Sequence, residues 1–523
     1  MTRLRAAAFP LAVFILALIP RLIDLGSRPF WLDEVFTDQR ASLPFWKLVQ
    51  NSFENHHMPS YFLLLSPLVG LGDPQFWLRL PSAVFGALAV MLVFIIARRV
   101  AGSLAGVAAA LVIGLSPTAL AFSQEARSYT LEMALILVAL YGVLRLASDL
   151  PAACRPMFSR AAGASSASWA GWALFVLASA IALDILGDGL PWILTANLIL
   201  LLLLPWAPQR SGLLRNLLLA DGLIALCCAP FYALMLRHQG SGFVDSVMWI
   251  PPLSAARLWY DLGAVYFMRI ADSVTFRFMP VPTPWAVPAS IGLGLAVAVL
   301  AAAWVLRRRP AQLAVLAVSC LFLPVLFTVV SIWRPILLPR YILWSSAPFA
   351  ILAGIGAASL LRSTRPPVRL AALGAAALLL LVNMAPYYQA ETKPRWDIAA
   401  KMLAQEVHAG DVVYLYDLGA LPILKLYLPG HGQSPVLAEA TGQLDHAVQS
   451  AAAGHRVWVV YGHAGQSGLT QQWSEFYAKS RALGSPKKLQ VAGKRIFIAL
   501  YVPPSTEHMA QNCPVGLGDE IGC

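Results

Sequence analysis

Charge is what this sequence has least of. Asp, Glu, Lys and Arg make up 12% of its 523 residues, against roughly 25% in an ordinary soluble domain. That scarcity excludes a soluble globular protein, and a 59% share of apolar residues excludes a disordered one. Cysteine is also sparse: six residues, none in CxxC spacing, which argues against a zinc site or a dithiol redox motif. Cys513 and Cys523 are open to pairing in an oxidising compartment or to remaining two tail thiols. No GxGxxG or other phosphate-cradling loop occurs, so no nucleotide site is signalled. Internal repeats are absent, including the inverted repeats of many transporters. What is present is apolar length. With a mean hydropathy of +0.67, the chain reads as a polytopic membrane protein.

A spanning helix needs roughly 20 mainly apolar residues. The expected runs are 6–24, 80–97, 102–122, 128–147, 168–186, 189–206, 213–236, 285–306, 311–332, 340–361 and 368–385, about eleven spans by that length rule. The first follows Arg3 and Arg5 like a signal peptide, but no small-residue cleavage site follows it, and it reads as an uncleaved anchor. The net charge of +12 does not point to nucleic acid, because the basic residues collect in short loops. Arg3 and Arg5, Arg98 and Arg99, Arg145, Arg155 and Arg160, Arg210 and Arg215, Arg307 to Arg309, and Arg362, Arg365 and Arg369 occupy every second connection. This pattern puts the N-terminus in the cytoplasm and the C-terminus outside.

The outer connections differ in character. Loop 24–79 is long and mixed in charge. Loop 237–284 carries Trp249, Trp259, Tyr260, Tyr266 and Phe267, as short interfacial helices would. After about residue 386 the composition becomes that of a soluble domain. A helix is expected over 394–407, strands over 412–416, 456–462 and 495–502, and a helix over 468–483. The expected organisation is a helical membrane domain over 1–386, a small α/β domain over 387–503 and a tail over 504–523.

Ionisable groups at membrane depth are costly and mark function. Here they gather on the outer side: Asp33 and Glu34 in RPFWLDE, His56, His57 and Tyr61 in NHHMPSY, Arg79 in LRLPS, Glu125, Arg127 and Tyr129 in SQEARSY, and Arg340 and Tyr341 in RPILLPRY. Asp184 and Asp188 lie between the fifth and sixth spans, and Glu132 begins the fourth. Moving a sugar onto a hydroxyl needs a general base for the acceptor proton and cations for the departing phosphate. A carboxylate with arginines, at an interface that a lipid tail can enter, suits a lipid-phosphate-sugar donor. Adjacent His56 and His57 point apart and the sequence places no third ligand, so no metal site is assigned. A divalent metal is compatible with this chemistry but not implied, since arginines can neutralise a monophosphate alone.

The order LDE, His-x-Pro, LRLPS, SQEARSY and a late Arg-Tyr resembles bacterial GT-C glycosyltransferases, in particular the branch of protein mannosyltransferases and lipid A aminoarabinose transferases. The resemblance is densest over 21–147. It implies an inverting transferase that draws on a polyprenyl-phosphate-linked sugar at the periplasmic face of a bacterial inner membrane. The acceptor would be a glycolipid, a polysaccharide or a protein, and nucleic acid has no part. By resemblance Asp33 is the catalytic aspartate with Glu34 beside it. Arg127 and Arg340 match positions expected near the donor phosphate, with Arg79 a third candidate from its place on the outer side, and His57 and Pro59 match a motif of the sugar or acceptor pocket. Beside these, His56, His57, Tyr61, Glu125, Tyr129 and Tyr341 are the candidates to line the substrate pocket. Two departures stand out: HMPSY at 57–61 where relatives usually read HPPLY, and ALDILGDG at 182–189 where many carry Thr-His-Tyr, the second bearing on acceptor or sugar preference. The rival readings are a lipid-linked-sugar transporter or flippase, which predicts charges midway in the spans, and a non-catalytic envelope assembly protein.

Overall fold

A computed structural model describes residues 2–157, 166–185, 189–238, 250, 252–266, 286–389, 392–416, 420–428, 436, 440–462, 483, 484, 486–492 and 496–502. The chain divides into two compact units, the larger holding Met1–Lys393 and the smaller beginning at Pro394. In the larger unit the helices run α1 (Thr2–Leu22), α2 (Leu32–Ala41), α3 (Phe45–Glu54), α4 (Ser60–Leu65), α5 (Pro74–Ala101), α6 (Ser103–Gly114), α7 (Pro117–Ser123), α8 (Tyr129–Ser148) and α9 (Leu150–Ala153). They continue as α10 (Ser166–Ile185), α11 (Gly189–Leu202), α12 (Arg210–His238), α13 (Ala255–Tyr266), α14 (Ala286–Leu306), α15 (Pro310–Ser331), α16 (Ser346–Leu360), α17 (Pro366–Met384) and α18 (Pro386–Gln389).

Among the described residues, eight helical segments are long and apolar enough to cross a membrane, nine if α6 and α7 form one bent span. Shorter apolar stretches lie at Ala8–Leu22 and Trp169–Ile185. This is a multi-pass membrane protein. The apolar windows of α8 and α16 are 78% buried, those of α12 and α17 only 22% and 17%. So α8 and α16 form the centre of the bundle, while α12 and α17 turn residues such as Leu226 and Leu370 outward.

Three features depart from the expected spans. The run at 102–122 is two helices bent by 66°. Pro117 has no N–H to continue α6, and the Ser116 hydroxyl accepts from the Ala119 amide (3.3 Å), capping α7. Secondly, the 24–79 connection is largely helical, and α5 starts at Pro74 because Asp73 caps it through the Gln75 amide (3.0 Å). Thirdly, α13 lies in the aromatic loop with Trp259 and Tyr260 exposed, but Tyr266 is a core residue whose hydroxyl meets Ser345 Oγ at 2.5 Å. Trp249 and Phe267 lie outside the described residues, as do Asp188, Cys513 and Cys523.

The smaller unit contains α19 (Trp396–Glu406), β1 (Val412–Leu415), α20 (Ala420–Tyr427), β2 (Ala440–Thr441), α21 (Leu444–Ala452), β3 (Val457–Tyr461), β4 (Lys488–Ala492) and β5 (Ile496–Tyr501). Its sheet has the order β2-β1-β3-β5-β4. β1 runs parallel to both β2 and β3, with Val413 opposite Trp458. β5 is antiparallel to β3 and β4, with Val459 opposite Ala499. The alternation of strands and helices supplies the parallel crossovers, and a packed face of Val412, Tyr414, Val457, Val459 and Ala499 makes the core. It is a small α/β fold. The helix expected over 468–483 lies outside the described residues except for Leu483, and β2 and β4 are additions to the expected strands.

One close helix crossing depends on a missing side chain. A Cβ on Gly356 of α16 would fall 1.6 Å from the Ala298 carbonyl oxygen of α14. Gly356→Ala therefore forces the two backbones apart and should cost about 1–3 kcal/mol, read as a lower melting temperature in detergent. Gly374→Ala on α17, where the added Cβ meets nothing within 4 Å, should leave that temperature unchanged or raise it slightly.

Candidate active site

The site is built around the first turn of α2. Asp33 and Glu34 lie in that turn, where carboxylates favour the positive end of the helix. Successive helical positions point about 100° apart, so the two acids face different surroundings. Glu34 points inward and is fully buried. Arg79 of α5 meets it with two bonds, Nε to Oε1 at 2.7 Å and Nη2 to Oε2 at 2.8 Å. Glu34 also accepts from the amides of Ala126 (2.9 Å) and Trp31 (3.4 Å), with Lys393 Nζ at 3.7 Å. Burial works to raise the Glu34 carboxyl. The Arg79 and Lys393 charges, with the Arg79 and Ala126 hydrogen bonds, outweigh burial and hold the carboxyl down at about 2. The remaining Arg79 N–H groups donate to the carbonyls of Leu25 (3.0 Å), Arg28 (2.8 Å) and Pro29 (3.1 Å). All five Arg79 donors are thus committed inside the protein, which leaves none for a phosphate.

Asp33 faces the other way. Its side chain is 25% exposed, where those of Glu34 and Glu125 are 0% and 1%. Its Oδ2 lies 3.0 Å from Arg340 Nη1, and Arg340 Nη2 donates to the Tyr341 hydroxyl at 3.3 Å. Arg127 stands beside them. Burial opposes its charge, but Tyr129 and Asp33 more than compensate and hold its proton more firmly than usual. Asp33, Arg127, Arg340, Tyr129 and Tyr341 therefore form one group, drawn from α2, the 124–128 loop, α8 and the stretch before α16.

A cavity of about 30 Å³ adjoins Arg127, lined also by His56, His57, Tyr61, Phe62 and Ile185. Its histidines are set by the end of α3. The amides of His56 and His57 donate to the carbonyls of Phe53 (3.1 Å) and Ser52 (2.8 Å), a Schellman cap with His56 in the left-handed region at φ 58°. His57 is held well below the usual imidazole range by burial and by Arg127, Arg40 and Arg340, so it is neutral at neutral pH. Tyr61 of α4 meets Ser82 of α5 at 2.8 Å, and Ser82 donates to the Arg127 carbonyl at 2.9 Å. Among the described residues, no group of three or more His, Cys, Asp or Glu side chains could hold a metal ion.

The sequence-predicted residues thus divide. Asp33, Arg127, Arg340, Tyr129 and Tyr341 meet; His56, His57 and Tyr61 flank Arg127 in the cavity; and Glu34, Glu125 and Arg79 lie behind them in a buried cluster. This corrects the expected parts of Glu34 and Arg79, whose oxygens and donors face each other and the backbone. α10 reaches the cavity through Ile185, the neighbour of Asp184. Two residues went unpredicted. Arg40 stacks on the Phe62 ring at 4.6 Å and bonds Asn51 at 2.9 Å. Lys393 bonds Glu125 Oε1 at 2.6 Å. No sequence motif marks Lys393, which stands near other basic residues such as Arg395 and Lys401.

No family model and no curated protein matches the chain. Its structure is similar to that of ArnT from Cupriavidus metallidurans in the apo state, at 15% identity and a TM-score of 0.56, covering 95% of this chain and 98% of that one. ArnT bound to undecaprenyl phosphate aligns over the same shares at 15% identity and 0.51. The oligosaccharyltransferase AglB from Archaeoglobus fulgidus, in complex with an inhibitory peptide and a dolichol-phosphate, aligns at 12% identity and 0.50, covering 90% of this chain and 71% of that one. The fold is GT-C, as the sequence motifs implied.

Glu34 yields a stability prediction. Its folded value lies below the ordinary 4.5, so its contribution is complete above that pH and is lost as pH falls toward 2. The wild-type melting temperature should drop across that window. Glu34→Gln should melt lower at neutral pH, by the equivalent of about 3–5 kcal/mol for a broken buried pair, with a flatter dependence below pH 4.5.

Proposed function

We propose that the protein is an inverting glycosyltransferase that moves a hexosyl or pentosyl unit from a polyprenyl-phosphate donor to an acceptor hydroxyl. The observation that carries this reading is the Asp33–Arg340 contact of 3.0 Å, with Arg127 alongside, at the one partly exposed carboxylate of the cluster. The GT-C fold supports it, as do neighbours of that fold solved with undecaprenyl phosphate and with a dolichol-phosphate.

In the proposed step Asp33 takes the acceptor hydroxyl proton while that oxygen bonds to the anomeric carbon from the side opposite the phosphate. The carbon–oxygen bond to phosphate breaks, and polyprenyl phosphate leaves with the bonding pair. Arg127 and Arg340 hold the growing charge on the phosphate. Before reaction Arg340 also holds Asp33 in place through their 3.0 Å contact. Neutral His57 offers hydrogen bonds to the sugar or acceptor without adding charge. Glu34, Glu125 and Arg79 act as scaffold. The arginine pattern supports an N-terminus in the cytoplasm and a reaction on the periplasmic side of a bacterial inner membrane. On this reading residues 1–386 form the catalytic membrane domain, and 387–503 the extracytoplasmic domain.

The test is mass spectrometry of polar lipids from cells lacking the gene, restored with wild type or with Asp33→Asn. A polyprenyl-phosphate sugar should accumulate in the null and the Asn strain and clear with wild type, and its mass gives the sugar class. Loss of the base should slow transfer by about 10²–10⁴-fold. Near-normal transfer by purified Asp33→Asn protein would overturn the assignment.

A further inference from the structure

Lys393 ends the continuous stretch Met1–Lys393 of the larger unit, and Pro394 opens the smaller one. A lysine at such a junction belongs in water by default, yet this one is 6% exposed. Its ammonium lies 2.6 Å from Glu125 Oε1, 3.7 Å from Glu34 Oε2 and 5.1 Å from the centre of the Trp31 ring. The two carboxylates come from separate elements, α2 and the 124–128 loop. Each adjoins the reacting group in sequence: Glu34 follows Asp33, and Glu125 precedes Arg127 by two residues. Residues just upstream of Lys393 are tied to the turn before α2 and to the 124–128 loop. Thr392 Oγ1 and the Tyr387 carbonyl accept from Arg28 at 2.7 Å and 2.6 Å, and the Tyr387 hydroxyl donates to Gln124 at 2.8 Å.

The charges of this cluster cancel. Glu34 and Glu125 are offset by Arg79 and Lys393, all buried. Arg28 sits partly exposed at the rim. On its open side Asp33 faces Arg340, Arg127 and Tyr129. Deleting one cation would leave an uncompensated carboxylate close behind Asp33, in a region where water screens little.

We infer that Lys393 is a positioning residue for the transfer reaction. It pins the Arg127 loop to α2 and neutralises the second buried carboxylate. The inference rests on the transferase reading above.

Membranes of the null strain hold both accumulated donor and unmodified acceptor. Purified full-length protein added to them can be followed by donor loss across a pH series. Lys393→Met should slow transfer by about tenfold or more and move the acid limb of the profile up by roughly one pH unit. The double variant Lys393→Met/Glu125→Gln should return the limb to its wild-type place and restore most of the rate. Lys393→Arg should keep the limb. If Lys393→Met does not fold, Glu125→Gln alone carries the test with opposite sign, its uncompensated ammonium moving the limb to lower pH. A lysine that only stabilises the fold would lower rate and melting temperature together. The limb would then stay fixed in every variant, and that result overturns the inference. If wild type consumes no polyprenyl-phosphate sugar, the transferase reading fails and the inference falls with it.

Discussion

The two-bond contact between Arg79 and Glu34 is the constraint on which the outer face of the membrane unit depends. A guanidinium and a carboxylate, both fully buried, exact a large desolvation cost that only close geometry repays. Here the geometry is met on every side. Arg79 spends its other donors on three carbonyls of the 25–29 turn, and Glu34 accepts the Ala126 amide. One ion pair thereby fixes the start of α2, the top of α5 and the loop between α7 and α8. Those are the segments that deliver Asp33 and Arg127.

The proposed function rests on the asymmetry of adjacent acids. Asp33 and Glu34 are chemically alike, and a helical turn sends one to the core and the other to the open side. Burial against two cations makes Glu34 a fixed anion over the physiological range. Partial exposure beside Arg340 leaves Asp33 reachable, as the proposed base for an incoming hydroxyl must be. The proposed division of labour needs no further catalytic group in the buried cluster.

Much of this was legible in the chain. Apolar runs gave the spans, because length and hydropathy alone decide whether a helix suits a bilayer. The alternation of VVYL and VWVVY with helical stretches gave the α/β unit. Clustered motifs on one side gave Asp33, Arg127 and Arg340, which the fold brings together. Other features depended on partners far apart in sequence. Lys393 and Glu125 are 268 residues apart, and no local pattern pairs them. The separate fates of Asp33 and Glu34 required knowing that a helix begins at Leu32. The bend between α6 and α7 was signalled by Ser116-Pro117, but the apolar run across it masked the break.

The cap that ends α3 carries a consequence for sequence variation. His56 occupies a left-handed conformation that most L-residues avoid and that β-branched ones scarcely enter. Position 56 is therefore filtered by backbone shape before side-chain chemistry counts. Glycine, asparagine and aspartate can stand there and still present residue 57 to the cavity, whereas valine or isoleucine would swing the whole 57–61 segment away. A family of such chains could change its imidazole at 56 freely within that small alphabet while keeping the pocket's outline.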